Sequence, residues 1–72
     1  MGGVKMKNIG DYASPINVNE PWFGIKGLIV DKFVKGGVNF YTLYFFDAAW
    51  GNVLLTFKES ELLFHWKLKF DA

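Results

Sequence analysis

The chain of 72 residues has no cysteine, no arginine and no glutamine, and its single histidine is His65. Without cysteine, no disulfide can staple the fold and no thiolate is available as a nucleophile or a zinc ligand. One histidine cannot assemble the nitrogen and sulfur sets that hold structural zinc, and no carboxylate spacing suits calcium. The sequence therefore predicts no metal and no cofactor. Arginine is the residue best suited to bidentate contacts with phosphate and base edges. Its absence, with a formal net charge of +1, argues against a dedicated nucleic-acid binder.

Long apolar runs are missing too. No stretch approaches the roughly 20 residues of a membrane span. Met1 to Lys7 holds no apolar core of signal-peptide length. It begins Met-Gly, but Met6 stands where a myristoylation signal wants Ser or Thr. The expectation is a cytoplasmic protein with no membrane contact.

A catalytic reading needs a nucleophile with its base, a carboxylate pair, or a metal cluster. Ser14 and Ser60 sit in turn contexts, and Glu59 and Glu61 read as solvated carboxylates. Gly36-Gly37 lacks the Lys-Ser/Thr that follows a phosphate-binding glycine loop. The expectation is a protein that is not an enzyme.

What the chain does have is aromatic and aliphatic mass. Phe, Trp and Tyr make up 19% of the residues, eight of them Phe. A domain of this size buries only about 60% of the surface its unfolded chain exposes. Apolar burial must then supply the stability that disulfides or metal supply elsewhere.

The stretch 38–57 organises the rest. Val38 to Phe46 and Val53 to Phe57 are runs of β-branched and aromatic residues, joined by Asp47-Ala48-Ala49-Trp50-Gly51-Asn52. They read as a hairpin. Tyr41, Leu43 and Phe45 share one face, and Phe40, Tyr44 and Phe46 the other, so one aromatic face is left exposed or is covered by something else. Val53, Leu55 and Phe57 point inward. Gly36-Gly37 suits a tight turn from a preceding strand, Gly24 to Val34. In that strand the expected core face is Ile25, Ile29 and Phe33, with a bulge near Gly27. Gly10 to Trp22 reads as a long ordered loop, after a possible short strand at Val4 to Lys7. Lys58 to Leu62 reads as one turn of 3₁₀ helix, with Leu62 plugging the end of the fold. Leu63 to Phe70 alternates His65, Lys67 and Lys69 with Phe64, Trp66, Leu68 and Phe70, a last strand with one basic and one apolar side.

This order resembles the SH3-like barrel. The residues that carry the likeness are Gly27-Leu28-Ile29-Val30, Tyr41-Thr42-Leu43-Tyr44-Phe45, and Leu55-Thr56-Phe57-Lys58-Glu59-Ser60-Glu61-Leu62. It is similar to short prophage-encoded barrels of Gram-positive bacteria. A weaker likeness is to photosystem I subunit IV and the variable chain of ferredoxin–thioredoxin reductase. The likeness spans Trp22 to Leu63 and implies an all-β, five-stranded SH3-like barrel of one domain, residues 1–72. It implies no catalytic residue.

Two binding readings follow. A protein-binding module would use Tyr12, Trp22, Phe23, Tyr44 and Trp50, because aromatics anchor protein interfaces. A nucleic-acid binder would use His65, Trp66, Lys67 and Lys69, with Lys5 and Lys7 nearby, stacking bases on an aromatic beside a basic edge. A homodimer is compatible with either. A lysine-rich, arginine-free composition fits an AT-rich genome, and the expected origin is a phage or mobile-element accessory protein of a low-GC bacterium.

Overall fold

A computed structural model describes residues 9–47, 49 and 51–65. These form an all-β domain with the element order β1 (Tyr12–Pro15), β2 (Gly27–Lys35), β3 (Val38–Asp47), β4 (Gly51–Lys58), a 3₁₀ turn (Glu59–Glu61) and β5 (Leu62–His65). All the strand pairings are antiparallel, in one five-stranded sheet of order β4-β3-β2-β1-β5.

The β2–β3 hairpin turns on Gly36 and Gly37, whose φ angles are +60° and +79°. Two successive positive φ values define a turn whose twist matches the flanking strands, and Gly adopts them at no steric cost. β3 and β4 then pair without interruption from Phe40 opposite Lys58 to Asp47 opposite Gly51. As alternation predicts, Tyr41, Leu43 and Phe45 are buried. Phe57 is buried as well, with Val53 and Leu55 packed against the same cluster. Phe46 on the opposite face is exposed.

The 3₁₀ turn falls where the sequence puts it, between β4 and β5. The backbone N–H of Lys58 donates to Glu61 Oε1 at 2.9 Å, and Asn39 Nδ2 donates to Glu59 Oε1 at 2.8 Å, tying the turn to β3. Leu62 enters the core immediately after it.

Four expectations are corrected. Gly10 to Trp22 is not all loop: Tyr12–Pro15 forms β1, which joins β2 at Tyr12 and Ala13 and β5 along its whole length. β2 starts at Gly27, so Ile25 lies outside it and is half exposed. The bulge of β2 is not at Gly27 but between Ile29 and Asp31. Ile29 opposes Leu43 and is fully buried, Val30 is the extra residue, and Phe33 opposes Phe40 on the outer face, where the two rings stack 5.3 Å apart. One inserted residue moves every later side chain to the other face of a period-two strand. Lastly, the barrel is not closed. Among the described residues no ladder joins β4 to β5, which stand at the two edges of the sheet. The suggested strand at Val4 to Lys7 and the rest of the last strand beyond His65 lie outside the described residues.

Candidate functional site

The loop between β1 and β2 builds one wall of an apolar concavity. It is held at its base by two backbone bonds, Ile16 N–H to the Glu61 carbonyl at 3.1 Å and Gly24 N–H to the Pro15 carbonyl at 3.0 Å. Inside it the chain makes three successive tight turns, with the N–H of Glu20, Phe23 and Ile25 donating to the carbonyls of Asn17, Glu20 and Trp22 at 2.9 to 3.0 Å. The Asn17 side chain accepts from Asn19 N–H at 2.9 Å, the local bond that makes Asn a turn residue. Gly24 completes the loop with a φ of +76°.

This arrangement lays Trp22 on the sheet. Its ring stacks on Phe45, centroids 4.6 Å apart and planes 25° from parallel. Phe45 is fully buried, so it is a fixed base for the indole. Stacked aromatic pairs contribute roughly 0.5–1.5 kcal/mol beyond the area they bury. Beside Trp22 opens a cleft of about 390 Å³ lined by Pro21, Trp22, Ile25, Asp47, Val53 and Leu55. Five of these six side chains are apolar. Asp47 is the charged group in the lining, and its Oδ1 accepts the Ala49 N–H at 2.6 Å.

The sequence-predicted protein-binding residues are split by the fold. Trp22 lines the cleft, and Phe23, next to it in the loop, is half exposed. Tyr12 and Tyr44 lie on the opposite, outer face. They belong to a single cross-strand row, His65–Tyr12–Leu28–Tyr44–Leu54, in which each residue stands directly opposite the next across all five strands. Tyr44 O–H donates to Asn52 Oδ1 at 2.8 Å on this face. Trp50 lies outside the described residues.

Pro21, Ile25, Asp47, Val53 and Leu55 were not read as site residues from the sequence. Alternation does place Val53 and Leu55 inward, and Pro21 beside Trp22 marks the loop. What the sequence does not show is that the loop folds over the end of the β3–β4 hairpin.

Of the proposed nucleic-acid patch, Trp66, Lys67 and Lys69 lie outside the described residues, as do Lys5 and Lys7. His65 is within them, and it is not a freely solvated surface side chain. It is half-buried, and its Nε2 is 2.8 Å from Ser14 Oγ. That spacing is within reach for a nucleophile and its base. Ser14, however, is buried, only 4% exposed. The bond is what a buried hydroxyl needs, since an unsatisfied one costs about 1–3 kcal/mol.

Among the described residues no group of three or more His, Asp or Glu is placed to hold a metal ion. No described helix is long and apolar enough to cross a membrane. No family model, curated protein or solved structure matches the chain.

Proposed function

We propose that the chain is a non-enzymatic protein-binding module, and that an apolar side chain of a partner protein seats in the cleft beside Trp22. The observation that carries this reading is the cleft itself. Its volume falls in the range of ligand sites, and such sites combine apolar walls with a small number of placed polar groups. Trp22 is held in place by Phe45 and by the stapled loop, so little ordering remains to be done on binding. Phe23 and Ile25 extend the apolar surface at the rim. Asp47 supplies one acidic group that a basic residue of the partner would complement. The burial of Ser14 supports the non-enzymatic part of the reading.

The place of action in this proposal is the cytoplasm, in an accessory protein of a phage or mobile element in a low-GC bacterium; the support for this is compositional. The alternative, nucleic-acid binding, would use His65 with Trp66, Lys67 and Lys69; the formal net charge of +1 and the lack of arginine weigh against it.

The test is affinity capture from a host lysate, with and without nuclease, using the wild type and Ile25→Glu. Ile25 lines the cleft but is half exposed and lies outside the strands, so the substitution alters the cleft without opening the core. A stoichiometric protein that survives nuclease and is lost from Ile25→Glu is the expected result. Capture that disappears with nuclease, or is unchanged by Ile25→Glu, would contradict the reading.

A further inference from the structure

β4 is an edge strand. Among the described residues it pairs only with β3, and its other side is left without a strand neighbour. Edge strands usually carry a device that blocks further pairing: a short length, a proline, a bulge, a charge in the middle or a covering loop. β4 carries none of these within the strand itself, and the β1–β2 loop borders its core side at Val53 and Leu55. The strand runs eight residues, Gly51 to Lys58, holds no proline and pairs with β3 without a register shift. Its one charged residue, Lys58, is at its end.

The sequence of this edge also reads the same in both directions by residue class. Asn52-Val53-Leu54-Leu55-Thr56 runs polar, aliphatic, leucine, aliphatic, polar. An antiparallel pair of identical strands opposes residues symmetrically about its centre, and directly opposite residues share a face. We infer that β4 pairs with β4 of a second copy of this chain, antiparallel, across a two-fold axis at Leu54. Leu54, 61% exposed in the single chain, then faces Leu54 of the partner copy. Val53 faces Leu55 on the core side, and Asn52 faces Thr56 on the outer side. The two Lys58 residues fall at opposite ends of the ladder, so no like charges meet. The outer-face row His65–Tyr12–Leu28–Tyr44–Leu54 ends at this edge, and the two-fold axis continues it into the same row of the second copy. The surface covered by pairing is the kind a small domain without disulfides most needs to remove from water.

A residue that opposes itself gives a test that other interfaces do not satisfy. Sedimentation velocity would be run on the wild type, on Leu54→Lys, on Leu54→Asp and on an equal mixture of the two variants. Circular dichroism would check that each variant keeps its sheet. The expected result is a dimer for the wild type, monomers for each variant alone, and dimers again in the mixture, where Lys meets Asp across the axis. Val34→Glu, on β2 and away from both the cleft lining and β4, stays a dimer, which controls for added charge. A monomeric wild type would overturn the inference. So would variants that remain dimeric alone, or a mixture that stays monomeric. Should both charged variants lose their sheet, Leu54→Ala replaces them, with a dimer weaker by up to about fivefold expected and an unchanged one contradicting the pairing.

Discussion

Gly27 and Phe45 occupy adjoining space with no room between them: a Cβ on Gly27 would stand 2.7 Å from Cε1 of the Phe45 ring. The same ring carries Trp22 on its other contact, 4.6 Å between centroids. Glycine at position 27 therefore sets where Phe45 lies, and Phe45 sets where the cleft has its aromatic wall.

Gly27→Ala is expected to destabilise the domain by about 1–3 kcal/mol, the range for overpacking a filled site. Urea unfolding followed by tryptophan emission measures it. The native emission should shift as well, because the displaced Phe45 moves the Trp22 stack. An unchanged midpoint would mean the ring can give way freely.

Ile29 and Phe33 are four residues apart, and simple alternation puts them on one face. The bulge at Val30 separates them. Ile29→Ala should cost about 2–5 kcal/mol, as a buried large-to-small change does. Phe33→Ala should cost only about 0.5–1.5 kcal/mol, the worth of its stack on Phe40. Equal losses in equilibrium unfolding would put both in the core and remove the bulge from the account.

Gly36→Asn should be nearly neutral, since Asn tolerates the positive φ of +60° and Asn-Gly suits this turn type. Gly37→Val should cost about 1–2 kcal/mol or more, because a β-branched residue is strained at a φ of +79°. The two urea midpoints, compared with that of the wild type, check the pair.

Ser14→Ala removes the hydrogen-bond partner of a half-buried His65 ring. A loss of about 0.5–1.5 kcal/mol is expected, the net worth of a typical bond of this kind. No change in stability would show that water replaces the hydroxyl without cost.

Much of the fold was legible because period two holds wherever the ladder is unbroken. Tyr41, Leu43 and Phe45 in β3, and Val53, Leu55 and Phe57 in β4, read correctly for that reason. So did the Gly36-Gly37 turn and the single 3₁₀ turn ahead of Leu62. β2 misled because a bulge leaves no mark in residue type: Val30 is as good a strand residue as its neighbours. β1 was hidden because Tyr12-Ala13-Ser14-Pro15 lacks the β-branched run that signals a strand, and its pairing comes from β5, about fifty residues away in the chain. The site was half legible. Trp22 could be singled out by type, but Tyr12 and Tyr44 share that signal and lie on the other face. Only the folded loop shows which aromatic borders a cleft.

The central claim is that the cleft beside Trp22 receives the partner. The most direct measurement compares nuclease-treated capture by the wild type, Ile25→Glu and Val34→Glu in one experiment. Val34 is exposed on β2 and lies outside the cleft lining, so it controls for added charge. The account predicts one protein retained by the wild type and by Val34→Glu, and lost from Ile25→Glu. Retention by Ile25→Glu at the wild-type level would contradict it.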